Sequence, residues 1–268
     1  GGGCGTDPTV ADLMGGSSAY WHEWTFDEIG NRLTQTAHDV AGDTITTYEV
    51  PPSGPESVRP HALTSTSTIA PGQSALVQEY DYDAAGNTVC RPTGATTGND
   101  CPTGSGRQEL VWDAEGRLAK VLTGTTPVET NVYDANGARL IRRDATGTTL
   151  FLPGQEVRYQ NGTTTATRYY SLNGSTIASR TGSGLTWLLD DHQGTAQTAV
   201  AAGTQAVTIR RQTPYGAVRG TDPAWPNGKG FVGGDNDPTG LTHLGARDYD
   251  PGVGRFISVD PIMDLVRS

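Results

Sequence analysis

Trp112–Leu118 (WDAEGRL) and Tyr133–Leu140 (YDANGARL) share one pattern: an aromatic residue, Asp, two further residues, Gly, and then alternating apolar positions. In such a unit the aromatic residue ends one strand, and the Asp side chain can bond the backbone two residues further on. The glycine supplies a positive φ before the next alternating strand begins. Each copy therefore predicts the tip of a β-hairpin. Further copies lie at 24–33 and 82–87, and weaker ones at 170–174 and 190–194.

The rest of the sequence also favours strands over helices. The chain of 268 residues contains 36 glycines and 16 prolines, which is typical of a protein with many turns. Between residues 80 and 220 no window shows sustained apolar spacing at the helical period, whereas 148–180 alternates at period two. Asn161-Gly162 and Asn173-Gly174 are hairpin-turn dipeptides within that segment. We predict an all-β chain. In the weakly patterned interval Ala37–Gln78, either a repeat unit has drifted from the pattern or the chain forms a long surface loop.

The charge and hydropathy of the chain argue against nucleic-acid binding and against a membrane span. The formal net charge is -10, from 29 acidic and 19 basic residues, and only Lys120 and Lys229 are lysines. Nucleic-acid binding normally needs the opposite balance, with a basic stripe, so we expect no nucleic-acid partner through this region. No segment approaches the roughly 18 apolar residues of a membrane span, and no signal peptide is visible. The chain begins without methionine, and we expect it to be a fragment of a longer protein.

Cys90 and Cys101 bracket a segment with the composition of a loop inserted between two strands. A disulfide that closes this loop would fit an oxidising, extracytoplasmic setting, whereas a metal site would need more Cys or His nearby. We predict a Cys90–Cys101 disulfide. Cys4 is then left single or pairs with a part of the protein outside this chain.

The segment His243–Pro261 (HLGARDYDPGVGRFISVDP) concentrates charge and turn residues as no other segment does. One interpretation is a catalytic site, since peptide hydrolysis by carboxylates needs two of them, one to activate water and one to donate a proton. The other interpretation is a buried ion-pair network with a structural role, because arginine suits fixed pairing with carboxylates. The residues concerned are Arg247, Arg255, Asp248, Asp250 and Asp260.

Three other motifs lack residues that their chemistry needs. The segment 235–240 (DNDPTG) resembles the start of a calcium loop, but Ala246 stands where a bidentate Glu belongs, which favours a simple turn. His22-Glu23 has no second His four residues on, so a zinc-protease helix is excluded. No pair of acids stands out by context as a glycosidase pair. We therefore expect neither a metal nor a cofactor.

Two features together resemble a known family. The repeated Tyr-Asp-x-x-Gly unit resembles the YD repeat of RHS and teneurin-like proteins. The segment 240–261 (GLTHLGARDYDPGVGRFISVDP) is similar to the RHS repeat-associated core domain, whose signature is a small residue, Arg-x-Tyr-Asp-Pro, a spacer, Gly-Arg-aromatic and Asp-Pro. Together the two features cover nearly the whole chain.

The resemblance implies the architecture of a polymorphic toxin. In that family the YD repeats wind as a continuous spiralling sheet around a hollow shell, and the core domain closes one end. We therefore expect a shell segment at 1–220 and a core, or plug, segment at 221–268. The family encapsulates a C-terminal toxic domain and releases it by autoproteolysis, at a site that resembles an aspartyl peptidase acting in cis. By motif position, its arginine and first aspartate correspond to Arg247 and Asp260.

The resemblance also implies what this chain lacks and what it binds. The second aspartate of the family's site lies further downstream, so we expect the peptidase to be incomplete in a chain that ends at Ser268. The implied partners are the protein's own toxin domain, the N-terminal remainder of the shell, and secretion or delivery proteins. The implied location is outside the cell or on a bacterial secretion apparatus. The alternative is a non-enzymatic structural or adhesive YD-repeat module of an extracellular protein, with the terminal motif as a cap.

Overall fold

The computed structural model describes residues 20–54, 56–94 and 106–260, and within these ranges the chain forms 22 β-strands and no α-helix. Within each sheet the strands follow chain order, and the paired strands are antiparallel. The predicted all-β class is confirmed. The chain divides into two compact units, one up to Glu109 and the other from Leu110. None of the described residues belongs to a helix long and apolar enough to cross a membrane.

The first unit contains a five-stranded sheet and a further set of short strands. The sheet comprises β1 (His22–Phe26), β2 (Arg32–Ala37), β3 (Thr44–Glu49), β4 (Ser65–Ile69) and β5 (Leu76–Glu79). The further strands pair in sequence and are β6 (Asp81–Tyr82), β7 (Thr88–Pro92) and β8 (Arg107–Trp112), the last of which continues into the second unit.

Of the two interpretations of Ala37–Gln78, the long surface loop is wrong, because this interval contains β3, β4 and most of β5. Both β3 and β4 are rich in threonine and serine, and the hydroxyls of Thr46 and Thr68 are 2.9 Å apart across the pair. A strand rich in serine and threonine shows little alternation between apolar and polar positions, although β-branched threonine favours strands. The hydropathy pattern therefore did not predict these strands. The long loop in this interval is confined to the connection between β3 and β4.

Cys90 lies on β7, is fully buried, and forms a disulfide. Cys4 and Cys101, the other cysteines of the chain, lie outside the described residues. The predicted Cys90–Cys101 pairing therefore stays a prediction.

The second unit is dominated by a meander, in which each strand pairs with the next. After β8 its strands are β9 (Leu118–Thr123), β10 (Thr126–Tyr133), β11 (Arg139–Asp144), β12 (Gly147–Leu152), β13 (Gln155–Gln160), β14 (Thr163–Leu172), β15 (Ser175–Thr181), β16 (Gly184–Asp190), β17 (Ala196–Ala201) and β18 (Val207–Ile209). A separate four-stranded sheet follows, made of β19 (Asp235–Asn236), β20 (Thr242–Leu244), β21 (Arg247–Asp250) and β22 (Arg255–Phe256). The division into shell and core segments after residue 220 stays a prediction.

The Asp-x-x-Gly turns end the strands as the sequence predicts. The N–H of Gly137 donates to the carbonyl of Asp134 at 3.0 Å, and the Asp134 carboxylate accepts the N–H groups two and four residues further on. Gly137 has a φ of +83°, which only glycine adopts without strain. The Asp27, Asp113 and Asp191 carboxylates make the same pair of contacts.

The predicted two-residue hairpins are also present. Asn161 and Gly162 have φ values of +50° and +78°, and Asn173 and Gly174 have values of +50° and +85°. Positive φ at both central residues is the geometry that Asn-Gly favours.

A small apolar core fixes the C-terminal sheet against the meander. Leu241, beside β20, and Ile257, after β22, pack with Leu110, Leu118 and Val121 of β8 and β9. All five side chains are buried to 95% or more. Burial of large aliphatic side chains stabilises by roughly 1.5–3 kcal/mol each, so this contact holds the β20–β22 segment in place.

Candidate functional site

Strands β21 and β22 form the hairpin that carries the predicted site residues. Its turn is closed by Asp250, whose carbonyl accepts the N–H of Gly254 at 2.8 Å and whose carboxylate accepts the N–H of Gly252 at 2.9 Å. Gly254 has a φ of +68°, and a Cβ there would lie 2.9 Å from the ring of Tyr215. The turn therefore requires glycine for both its conformation and its packing.

Arg247 and Asp260, the two residues predicted to be catalytic, lie together in the structure. Nη1 of Arg247 is 3.1 Å from Oδ2 of Asp260. The guanidinium carbon of Arg247 lies 3.7 Å from the ring centroid of Phe256, which is a close cation–π contact. The Asp260 side chain is 51% exposed, so the pair is accessible from solvent.

An aromatic stack supports Phe256. The ring of Phe256 meets Tyr249 edge-on with centroids 5.4 Å apart, and Tyr249 stacks on Phe231 at 5.5 Å. The Tyr249 hydroxyl donates to the carbonyl of Tyr215 at 2.9 Å. Because each ring is fixed by the next, the stack limits the positions that the Arg247 guanidinium can occupy.

Asp248 is a buried carboxylate of the same hairpin, only 2% exposed. Its Oδ1 lies 2.9 Å from Nδ1 of His243, which is itself 6% exposed. The N–H of Ile257 donates to the carbonyl of Asp248 at 3.0 Å, so the backbone that leads to Asp260 runs beside Asp248. Asp248 thus contacts His243, a residue outside the predicted ion-pair network, whose role stays a prediction.

A buried cluster of charges, which the sequence analysis did not single out, connects the loop after β19 with β11. Asp237 accepts a hydrogen bond from Nη1 of Arg139 at 2.6 Å and another from Nη1 of Arg142. The segment 235–240 forms the expected turn, with the N–H of Gly240 donating to the carbonyl of Asp237 at 2.9 Å. Here, however, the carboxylate binds two arginines of a distant strand.

Glu129 on β10 belongs to this cluster and is 1% exposed. Its Oε1 accepts a hydrogen bond from Nδ2 of Asn131 at 3.0 Å, while no described residue hydrogen-bonds to its buried Oε2. Burial, and next the charge of Asp237, raise the pKa of Glu129 to about 7. The cluster therefore contains a carboxyl group that exchanges a proton near neutral pH.

An open pocket of about 300 Å³ lies beside the cluster and is lined by Arg139, Lys229, Asp235 and His243, among others. Nζ of Lys229 is 2.5 Å from Oδ1 of Asp235, so opposite charges in the pocket already satisfy each other. Within the described ranges no three His, Cys, Asp or Glu side chains are grouped so as to hold a metal ion. The lining thus indicates no particular ligand.

In comparisons with known proteins, the chain is similar to components of toxin complexes. No protein-family profile matches it. In sequence it is similar to toxin subunit YenC1 of Yersinia entomophaga, with 26% identity over 259 residues, covering 69% of this chain and 26% of that protein. The chain thus spans about a quarter of the length of this curated relative.

Solved structures show the same likeness at the level of the fold. The chain is similar to the crystal structures of TcdB2-TccC3 without its hypervariable C-terminal region, with a TM-score of 0.60, and of TcdB2-TccC3-Cdc42, with a TM-score of 0.59. It is also similar to the Tc holotoxin pore of Photorhabdus luminescens, with a TM-score of 0.58. In each case the identity is 18%, and the match covers 91% of this chain and 14% of the other. The chain therefore shares its fold with part of these Tc toxin components.

Proposed function

We propose that this chain is a shell segment of an RHS-type toxin, and that its C-terminal hairpin takes part in the self-cleavage that frees a toxic domain. The observation that carries the proposal is the Arg247–Asp260 ion pair, formed at 3.1 Å by the two residues that the resemblance marks as catalytic. The likeness to YenC1 and to TcdB2-TccC3 supports the toxin-related role.

The proposed chemistry assigns a separate task to each side chain. Asp260 takes a proton from water, whose oxygen attacks the carbonyl carbon of the scissile peptide bond. A second carboxyl group donates a proton as the C–N bond breaks, which leaves a new carboxyl terminus and a new amine. Arg247 stays paired with Asp260 and fixes the position of its carboxylate.

The second carboxyl group has two sources in this scheme. The resemblance places it further along the polypeptide. In the hairpin itself, Asp248 is the buried carboxyl that lies beside the backbone leading to Asp260, and its bond to His243 gives it a fixed orientation. Asp248→Asn tests the second source, because normal cleavage by this variant excludes Asp248 and leaves the carboxyl group further along the polypeptide.

The test uses the full gene product that contains this chain, with an epitope tag at each end. Wild type is expected to appear as two polypeptides on a denaturing gel, and mass spectrometry then gives the new N-terminus. Asp260→Asn is expected to leave one uncleaved chain, while the matched variant Asp134→Asn, in a repeat turn, is cleaved normally. Cleavage of Asp260→Asn at the wild-type rate overturns the catalytic assignment. A wild type that is never cleaved favours the structural or adhesive cap.

Encapsulation is the second part of the proposal and has its own test. After cleavage, the C-terminal product is expected to co-elute with the shell under native conditions and to resist added protease. Opening the shell with mild denaturant should make the product protease-sensitive. A cleaved product that separates freely and is digested at once contradicts encapsulation, whatever the outcome at Asp260.

A further inference from the structure

From β10 to β18, one face of the meander combines apolar and basic side chains and contains no acid. In an antiparallel pair, directly opposed residues point to the same face of the sheet. The registers of β14 to β18 therefore place one row on one face: Tyr170, Ala178, Trp187, Val200 and Val207. We call the face that bears this row the basic-apolar face.

The acids of β10 to β16 all lie on the opposite side of the sheet. Glu129 pairs with Asp144 and alternates with Thr130, which lies on the basic-apolar face. Glu156 is next to Val157 and Asp190 is next to Leu189, both of which belong to the basic-apolar face by register. The separation is notable in a chain with a net charge of -10, because acids outnumber bases over the whole sequence.

Ala178 is buried at 1% exposure, but several large apolar side chains of the face are open to solvent. Trp187 is 45% exposed, Leu189 53% and Val207 59%. A contiguous apolar patch of this kind is typical of an interaction surface, because burying it against water-excluding partner groups is favourable.

Two arginines face each other within the patch. Arg168 of β14 and Arg180 of β15 are directly opposed and lie two residues from Tyr170 and Ala178 on the same face. Like charges in this position destabilise a sheet. Neither arginine takes part in an ion pair with any described residue. The pair is thus positioned to bind an anionic group that the described chain does not supply.

We propose that the basic-apolar face binds a polypeptide segment in which acidic side chains are interspersed with apolar ones. Carboxylates of the segment pair with Arg168 and Arg180, and its apolar side chains pack on Trp187, Leu189 and Val207. Arg143, which is on the same face by its register with Thr148, extends the basic character towards β11. The inference is independent of the proposed self-cleavage, since none of these residues lies in the C-terminal sheet.

Other occupants fit the face less well. A second copy of the chain, docked through the same face, would bring basic side chains towards basic side chains. A nucleic acid would need a denser set of cations than this face provides. An acidic polypeptide meets both the charge and the apolar character of the surface.

The test is fluorescence polarisation with the full chain and a labelled Gly/Ser peptide that carries interspersed Glu and Leu residues. Binding is expected to weaken at least about fivefold in Arg168→Gln/Arg180→Gln, and to weaken with added salt. Arg59→Gln, in the first unit, is the control for loss of a surface positive charge away from the face and should bind as wild type. Peptides with Gln for Glu, or Ala for Leu, should each bind more weakly than the parent peptide.

A second variant tests whether weaker peptide binding results from unfolding of the chain. Trp187→Thr replaces Trp with another residue that favours strands and removes most of the apolar area, so it should weaken binding while the thermal melting curve stays cooperative. Equal binding of the Glu and Gln peptides, or equal binding by Arg168→Gln/Arg180→Gln and Arg59→Gln, overturns the proposal. Binding of phosphatidylserine vesicles or oligo-dT in place of the acidic peptide also overturns it, in favour of a membrane or a nucleic acid.

Discussion

Arg139 and Asp237 are 98 residues apart in sequence and meet at 2.6 Å in the interior of the second unit. Asp237→Asn should lower the free energy of unfolding by about 3 kcal/mol, because it leaves the buried guanidinium groups of Arg139 and Arg142 without their shared counter-charge. Urea unfolding measures the effect. Asp134→Asn is the matched control in a turn of the same type, and its cost should be smaller. Equal costs for the two variants would show that the buried pairing contributes little.

Glu129 makes stability depend on pH. Its pKa is raised from 4.5 to about 7, so the folded state binds the proton more tightly than the unfolded state does. The free energy of unfolding should therefore fall by roughly 3 kcal/mol as pH rises from 4.5 to 7 and change little from this group beyond. The groups that surround the carboxyl are Asn131, Asp237, Arg139 and Arg142.

Glu129→Gln is the variant that tests this dependence. It keeps the shape and the hydrogen bond with Asn131 but cannot ionise, so it should be more stable than wild type at pH 8 and nearly equal at pH 4.5. Urea midpoints at several pH values measure the difference. Parallel curves for wild type and variant would contradict the raised pKa.

The Arg247–Asp260 pair and the buried cluster around Asp237 differ in how far the sequence alone predicts them. The resemblance of one short motif to a known family predicts roles for Arg247 and Asp260, and the structure brings their side chains together. Asp237 was correctly predicted to start a turn, but its partners are on a strand that precedes it by almost a hundred residues. No local pattern encodes such a contact, since it depends on how the C-terminal sheet packs against the meander.

Glycines of the repeat turns should differ in their tolerance of alanine. Gly116 has a φ of +73° with open space around its Cβ position, so Gly116→Ala should cost only about 1 kcal/mol of backbone strain. Gly216 has a φ of +88°, and a Cβ there would lie 2.6 Å from the ring of Phe231. Gly216→Ala should cost about 3 kcal/mol, because strain and overpacking add.

Urea unfolding of the two variants provides the comparison. Because Phe231 stacks on Tyr249, Gly216→Ala should also perturb the aromatic stack, which near-ultraviolet circular dichroism detects. A cost for Gly216→Ala no larger than that for Gly116→Ala would show that Phe231 moves aside freely.

The flat shape of the arginine side chain at residue 247 should be needed for the proposed self-cleavage as well as its positive charge. Arg247 touches the Phe256 ring with its flat guanidinium and pairs with Asp260 at the same time, a geometry that the compact ammonium of lysine does not reproduce. Arg247→Lys should therefore slow the proposed self-cleavage of the full gene product by at least about tenfold, since in that proposal a small misplacement of Arg247 is costly. A time course of cell-free synthesis, followed on denaturing gels, gives the first-order rate. Arg59→Lys is the matched control and should be cleaved as wild type. If Arg247→Lys is cleaved equally fast, the positive charge alone is enough and the stacking on Phe256 is only structural.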